Sequence, residues 1–326
     1  MKWRGAVLAL VAFGSVSPAV GAQPAGKVWH VGLLDTMTSE MNTANLDALR
    51  RGLRERGYVE GQNLVFEYRS ADGHNERFRD LAIELVNKKI DLIITRGTPA
   101  AQAAVAASAT IPIVATAVAN PDGIGLVKSL SHPGGNLTGL SSVAAALYGK
   151  RLELLRETLP RMTRVGVLTN LGNPSSVLVW KETQKIARSL GIQAQLLDVR
   201  KPEDLASAFQ AASKEHAAAI VITGDTVTQA NPAAITQLAI KHHLPTIATG
   251  VEFVEVGALM SYGVNYPQLY YRAASYIDKI FRGAKPGDLP MEQPTSLELA
   301  INLKTASLLG ITIPPEIILR ADRIIK

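Results

Sequence analysis

Short apolar runs rich in β-branched residues alternate with amphipathic segments along most of the chain. The runs predict strands at residues 28–34, 64–68, 91–95, 113–116, 164–169, 193–199, 218–223, 246–248 and 259–262. The amphipathic segments predict helices at residues 42–56, 76–88, 99–107, 147–158, 177–190, 202–214, 232–243 and 266–281. Strands that alternate with helices pair in parallel and carry helices on both faces, so the pattern predicts an α/β fold.

The alternation restarts after a Gly/Pro-rich segment at residues 133–136, which indicates two doubly wound parallel-sheet units. A chain of 326 residues suits two lobes of about 130–150 residues each. We expect residues 27–142 plus about 263–292 to form lobe 1 and residues 143–262 plus about 293–326 to form lobe 2. The chain then crosses between the lobes more than once, through a multi-strand hinge. Ligands of such sheets bind in the crevice at the carboxyl ends of the strands.

The first 22 residues are typical of a cleavable secretory signal. Lys2 and Arg4 supply the positive charge, residues 5–16 form an apolar stretch, and small residues precede Gln23. The alternative is a membrane anchor, but the stretch is shorter than the roughly 20 apolar residues that cross a bilayer. We therefore expect export to the periplasm and no direct membrane insertion.

Composition excludes several classes of protein. Hydrophobic residues make up 47% and charged residues 19%, which is typical of a globular chain. The formal net charge is +6, but the basic residues are scattered, so no nucleic-acid partner is expected. Cysteine is absent, which excludes disulfides, thiolate catalysis, cysteine-bound metals and a lipid-modified N-terminal cysteine.

Catalytic and cofactor motifs are not found. The serine, aspartate and histidine residues lack nucleophile-elbow spacing. The adjacent His242 and His243 are a poor metal pair, and Gly134 and Gly135 precede a strand rather than opening a helix. We therefore expect no enzymatic activity, no cofactor and no metal site.

Four segments together resemble one family of ABC-transporter substrate-binding proteins. They are NPDGIGLVKSL with PGGNLTG (residues 120–130 and 133–139), EFVEVGALMSYG (252–263), GAKP with EQPT (283–286 and 292–295), and INLKTA followed by IPP (301–306 and 313–315). The resemblance covers essentially the whole mature chain and implies the type 1 periplasmic-binding fold. Some members of the family bind aromatic amino acids. The loop at residues 35–41 departs from the Ser/Pro/Gly-rich loop that the family often has there.

The resemblance implies that the lobes capture a small molecule, with an amino acid or related carboxylate expected, and present it to ABC permease subunits. The alternative is a periplasmic sensor subunit that presents the same closed form to a signalling receptor. In either case ligand binding shifts an equilibrium between open and closed lobes.

Candidate ligand-binding residues of the first lobe follow two strands. Asp35 and Thr36 begin the loop after the first strand, which we expect to line the cleft. Thr98 suits a helix N-cap and Pro99 the first helical position, so free backbone N–H groups there can hold a carboxylate. Arg96 can add a bidentate pair. The alternative is a plain helix cap beside a solvated arginine.

Candidates of the second lobe occupy the equivalent loops. Asn173, Ser175 and Ser176 lead into a helix and can donate to the ligand, with capping alone as the alternative. Asp225 follows a strand and has the charge to bind an ammonium group, although a turn aspartate that stabilises its own backbone is equally consistent. Tyr262 can stack on a planar ligand, or it is a packing residue.

Overall fold

The structure is a computed structural model that describes residues 27–142, 145–294 and 296–326. The predicted signal peptide, residues 1–22, lies outside these ranges. Within them the predicted α/β class is confirmed, because the strands form two sheets and helices cover both faces of each. Among the described helices, none is both long enough and apolar enough to span a bilayer.

The first sheet of the described chain has five parallel strands in the order β2-β1-β3-β4-β5. They are β1 (Trp29–Asp35), β2 (Leu64–Ser70), β3 (Leu92–Arg96), β4 (Ile113–Ala119) and β5 (Leu137–Ser142). β3 is buried along its whole length, as expected for a strand covered on both faces. The pairing of β4 with β5 shifts register between Ala115 and Val118. Such an irregularity re-aims side chains at the end of a strand.

The second sheet of the described chain has seven strands in the order β12-β11-β10-β9-β8-β6-β7. They are β6 (Arg164–Thr169), β7 (Gln193–Asp198), β8 (Ile220–Ile222), β9 (Thr246–Ala248), β10 (Met260–Val264), β11 (Leu297–Asn302) and β12 (Arg323–Ile325). All pairs are parallel except β10 with β11. The sequence did not predict β11. In this strand Leu299 and Ile301 alternate with less apolar residues, and their side chains enter the core.

The helices connect these strands and cover the sheets. They are α1 (Thr43–Arg54), α2 (Phe78–Asn87), α3 (Thr98–Ala107), α4 (Ala145–Thr158), α5 (Pro174–Ser189), α6 (Leu205–Lys214), α7 (Thr226–Ala230), α8 (Pro232–Lys241), α9 (Val251–Glu255), α10 (Tyr266–Phe281), α11 (Leu303–Leu308) and α12 (Pro315–Leu319). The predicted helices at 76–88 and 202–214 each begin with a 3₁₀ turn, at Asn75–Arg77 and Pro202–Asp204.

Apolar clusters fill the space on both faces of each sheet. In the first sheet, Leu33 and Ile94 pack toward α1 and α10, whereas Leu34 and Ile93 pack toward α2 and α3. The second sheet divides its strand residues in the same way between two clusters. Because the faces are occupied by helices, the strand ends and their loops are left to form a site.

Helix α10 returns the chain to the first sheet. It follows β10 of the second sheet but packs along α1. Gly52 permits this close approach, since a Cβ atom there would lie 2.8 Å from the carbonyl oxygen of Tyr271. After α10, Glu292 bridges to Leu140 of β5, and the chain then enters β11 of the second sheet. The connection between the two units therefore contains several chain segments.

Candidate functional site

A cavity lies between the two sheets, at the carboxyl ends of their strands. This is the location expected for open α/β sheets that face each other. Among the site residues predicted from the sequence, those that line the cavity are Thr36, Thr98, Asn173, Ser175, Ser176 and Asp225. Asp35, Arg96 and Tyr262 lie behind this wall and contact residues that support it.

The beginning of α3 forms part of the wall on the side of the first sheet. Gly97, with a φ of +82°, is the N-cap, so the prediction of Thr98 as N-cap is wrong by one position. The left-handed backbone at this turn favours glycine over threonine, which moves the helix start to Thr98. The Thr98 hydroxyl instead accepts a hydrogen bond of 3.2 Å from the backbone N–H of Ala119. This bond ties the start of α3 to the end of β4.

Asp35 and Thr36 have different surroundings although they are neighbours. The buried Asp35 carboxylate accepts hydrogen bonds from the Tyr270 hydroxyl at 2.6 Å and the Asn42 amide at 2.8 Å. It thereby fixes the loop after β1. Thr36 reaches the cavity, and its hydroxyl donates to the Gln229 side chain of the second unit at 3.4 Å.

Gln229 links both units to the crossover between them. In addition to accepting from Thr36, its amide donates to the Tyr266 hydroxyl at 3.0 Å. Nearby, a Cβ atom on Gly73 of the first unit would lie 3.1 Å from the side chain of Asn231 in the second. The two units therefore touch beside the cavity.

The start of α5 forms the opposing wall. Asn173 is its N-cap, and the side-chain oxygen accepts from the backbone N–H of Ser175 at 3.1 Å and from its hydroxyl at 2.8 Å. The Asn173 amide donates to Asp225 at 2.9 Å. Asn173 therefore both caps the helix and orients the Asp225 carboxylate, while Ser176 adds its surface to the lining.

Asp225 follows β8 and caps the short helix α7 through the backbone N–H of Val227 at 2.9 Å. Its carboxylate also accepts from the amides of Asn170 at 3.1 Å and Asn173 at 2.9 Å. Burial raises the pKa of Asp225, and the hydrogen bond from Asn173 opposes the rise. Within the described chain, the negative charge is thus held by neutral donors in the cavity wall.

Arg96 points beneath the cavity. Its guanidinium donates to the Asn42 side chain at 3.2 Å, lies 3.9 Å from the Glu252 carboxylate and stacks over the Tyr266 ring at 4.5 Å. Arg96 belongs to β3 of the first sheet, and Glu252 belongs to α9, which packs on the second. The ion pair therefore joins the two units behind the wall.

Three lining residues of α4, Leu147, Tyr148 and Arg151, were not predicted. Arg151 is 2% exposed, donates to the backbone carbonyl of Tyr262 at 2.8 Å and lies 4.4 Å from the Tyr148 ring. Tyr262 contributes this carbonyl, while its half-buried side chain packs in the core of the second unit. The sequence does contain a signal for Arg151, because it shares one helix face with the buried Tyr148, Leu152 and Leu155.

The fold and this cleft agree with a known family. The model of the family described as "ABC transporter substrate binding protein" matches residues 31–325. The chain belongs to this family. Substrate-binding proteins of this kind act outside the cytoplasm, bind small ligands and work with the other components of an ABC transporter.

Individual relatives cover most of the chain. A protein named "Tyrosine-binding protein" from Clostridioides difficile (strain R20291) is 29% identical over 265 residues, which cover 80% of this chain and 76% of the relative. A solved conserved domain protein from Vibrio cholerae is 33% identical, with a TM-score of 0.86, over 91% of this chain and 100% of its own. The ABC domain in complex with L-Trp from Streptococcus pneumoniae is 25% identical, with a TM-score of 0.84, over 92% and 100%.

These findings confirm the family and fold predicted from the sequence. They also favour the substrate-binding component of an ABC transporter over the alternative of a sensor subunit for a signalling receptor.

Proposed function

We propose that the protein captures an amino acid in the cavity between its lobes and delivers it to an ABC permease, without catalysing a reaction. The observation that carries the proposal is the buried Asp225 carboxylate in the cavity wall, which neutral donors hold and which is suited to an ammonium group. The tyrosine-binding relative and the L-Trp complex support an aromatic amino acid as the first choice.

The proposed lobes are residues 27–142 with about 263–292, and residues 143–262 with about 293–326. The packing of α10 on α1 and the pairing of β11 with β10 support this division. Closure would bring Thr36 against Gln229 and would bury the ligand between the lobes. The permease would then recognise the closed form, and the predicted signal at residues 1–22 supports delivery in the periplasm.

The test is a thermal-shift screen of the mature protein against the standard amino acids, with a sugar and a nucleoside as controls. Ligand at about 100 times its dissociation constant should stabilise the protein by about 2.7 kcal/mol. We expect an aromatic or branched apolar amino acid to give the largest rise in melting temperature, and the recovered ligand to be chemically unchanged. Stabilisation by the sugar or nucleoside alone would overturn the ligand class, and conversion of the ligand would overturn the non-enzymatic role.

Affinity for the amino acid should decrease as the buffer is acidified. Burial raises the pKa of Asp225 above that of an exposed aspartate, so its carboxylate becomes protonated at a higher pH. The neutral acid has no charge to offer an ammonium group. The flanking Asn170 and Asn173 do not titrate. Burial lowers the pKa of Arg151, but an arginine guanidinium stays protonated at neutral and acidic pH. Isothermal titration calorimetry from neutral to acidic buffers measures this dependence.

Asp225→Asn is the matched control for the pH dependence. At neutral pH it should bind the amino acid about 10- to 150-fold more weakly, since a hydrogen bond to a charged group contributes about 1.5–3 kcal/mol. Its weakened affinity should show no further decrease through the pH range in which the wild type changes. A wild type and variant with the same pH profile would remove Asp225 from the ammonium site.

A further inference from the structure

We propose that Arg151 binds the carboxylate group of the captured ligand. This inference rests on the proposed function, because it identifies the residue that would receive the acidic end of the amino acid. It differs from the prediction that the start of α3 at Thr98 supplies the carboxylate site. Arg151 belongs to α4 of the second unit, whereas Thr98 belongs to the opposite wall.

Arg151 is a cation of the cavity wall without an anion beside it in the described residues. Its Nε atom donates to a backbone carbonyl, and its ring contact is with Tyr148. The Nη1 atom is buried and has no hydrogen-bond partner in the described structure. Burial lowers the pKa of the Arg151 guanidinium, and Tyr148, Tyr266 and Tyr262 oppose that decrease. The guanidinium therefore retains donor capacity that a carboxylate would satisfy.

The other buried arginine near the cleft, Arg96, also has unpartnered nitrogen atoms, Nε and Nη2, but a carboxylate already lies beside it. Arg96 faces the Glu252 carboxylate at 3.9 Å and donates to Asn42 at 3.2 Å. It also lies behind the wall, whereas Arg151 lines the cavity. Buried charges in folded proteins are normally paired, and guanidinium groups bind carboxylates through two parallel hydrogen bonds. A ligand that enters the cavity is thus the natural source of the missing anion for Arg151.

The two charged residues of the described cavity wall complement a zwitterion. Asp225 offers an anion and Arg151 a cation, which matches the ammonium and carboxylate of an α-amino acid. The Tyr148 hydroxyl accepts from the backbone N–H of Gly224 at 3.3 Å, so the Tyr148 side chain lies between Arg151 and the loop that carries Asp225. Asp225 and Arg151 both belong to the second unit. The amino acid would therefore bind the second lobe first, and closure of the first lobe would cover it.

The experiment compares ligands that differ by a single charged group. The probe is whichever of L-tyrosine and L-tryptophan gives the larger thermal shift with the wild type, together with its decarboxylated analogue, tyramine or tryptamine. Calorimetry is performed on the mature wild type and on Arg151→Gln. We expect Arg151→Gln to bind the amino acid about 10- to 150-fold more weakly. Its affinity for the decarboxylated amine should equal that of the wild type.

Two further variants serve as controls. Lys150→Gln alters the exposed neighbour on the same helix, which pairs with Glu153, and should bind the amino acid as the wild type does. Arg151→Lys keeps the positive charge without the planar fork and should lose less affinity than Arg151→Gln. Arg151→Lys is also measured in place of Arg151→Gln if the latter does not fold. The proposal would be overturned if the ratio of the affinities of Arg151→Lys for the amino acid and for the amine equalled that of the wild type.

The results separate this inference from the proposed function. A wild type that binds no amino acid overturns the proposed ligand class before any variant is made. A wild type that binds the amino acid, with unchanged affinity in Arg151→Gln, overturns only the role of Arg151. Equal losses for the amino acid and the amine also overturn it, because they would indicate that Arg151 acts on the shape of the cavity.

Discussion

Arg96→Met should lower the free energy of unfolding by about 3–5 kcal/mol, the range observed when one partner of a buried ion pair is removed. The Arg96 side chain is 1% exposed, and the partly buried Glu252 side chain, 27% exposed, has its carboxylate 3.9 Å away. Methionine fills a similar volume, so the loss comes from charge and hydrogen bonding rather than from a cavity. The variant would leave Glu252 without its cation and the Asn42 side-chain oxygen with one donor, Asn45, instead of two. Chemical denaturation followed by circular dichroism measures the change.

An exposed ion pair provides the matched control. Arg164 pairs with Glu215 at 2.7 Å on the surface, and Arg164→Met should cost no more than about 1 kcal/mol.

Burial raises the pKa of Glu252, and Arg96 opposes that rise. Adding Glu252→Gln to Arg96→Met should therefore recover part of the lost stability, because no unpaired carboxylate remains. A loss below about 1 kcal/mol for Arg96→Met alone would contradict the assignment of a buried pair.

The sequence predicts the regular elements of the fold well where the periodicity is strong. β6 and α10 have the predicted bounds, 164–169 and 266–281. The short elements α7 and α9 were not predicted, because each is a single turn that tertiary contacts and capping stabilise rather than intrinsic propensity. β11 was not predicted because its pairing is antiparallel, which the alternation of strand and helix does not indicate.

The cavity could be located from the sequence only in part. Thr36, Thr98, Asn173 and Asp225 follow strands, and the carboxyl ends of parallel strands meet at one edge. Arg151 lies within a helix instead, so its arrival in the cavity depends on how the crossover orients α4. Arg96, at the end of β3 and behind the wall, is a similar case. The direction of its side chain determines whether it contacts the ligand or forms an ion pair, and the sequence does not give that direction.

The wall of the cavity also depends on how closely β4 and β5 approach. Gly139 in β5 has a φ of +124°, and a Cβ atom there would lie 2.2 Å from the carbonyl oxygen of Ala115 in β4. The register of the two strands shifts just beyond this contact, and Ala117 and Ala119 of β4 then line the cavity. The absence of a side chain at Gly139 is therefore linked to the shape of the site.

Gly139→Ala should accordingly destabilise the protein by about 2–6 kcal/mol, the sum of about 1–3 for a strained backbone and about 1–3 for overpacking. Gly135→Ala, at a position with no atom within 4 Å of the added Cβ, should change stability by less than about 0.5 kcal/mol.

Gly283→Ala separates the two causes, because Gly283 has a φ of +99° but open space around it. Gly283→Ala should therefore lose only the stability that the strained backbone costs, without the contribution from overpacking. If Gly139→Ala is no less stable than Gly283→Ala, the close contact with Ala115 contributes nothing. If it is less stable, the amino acid that binds the wild type should bind it more weakly as well, because the end of β4 must move to accommodate the methyl group.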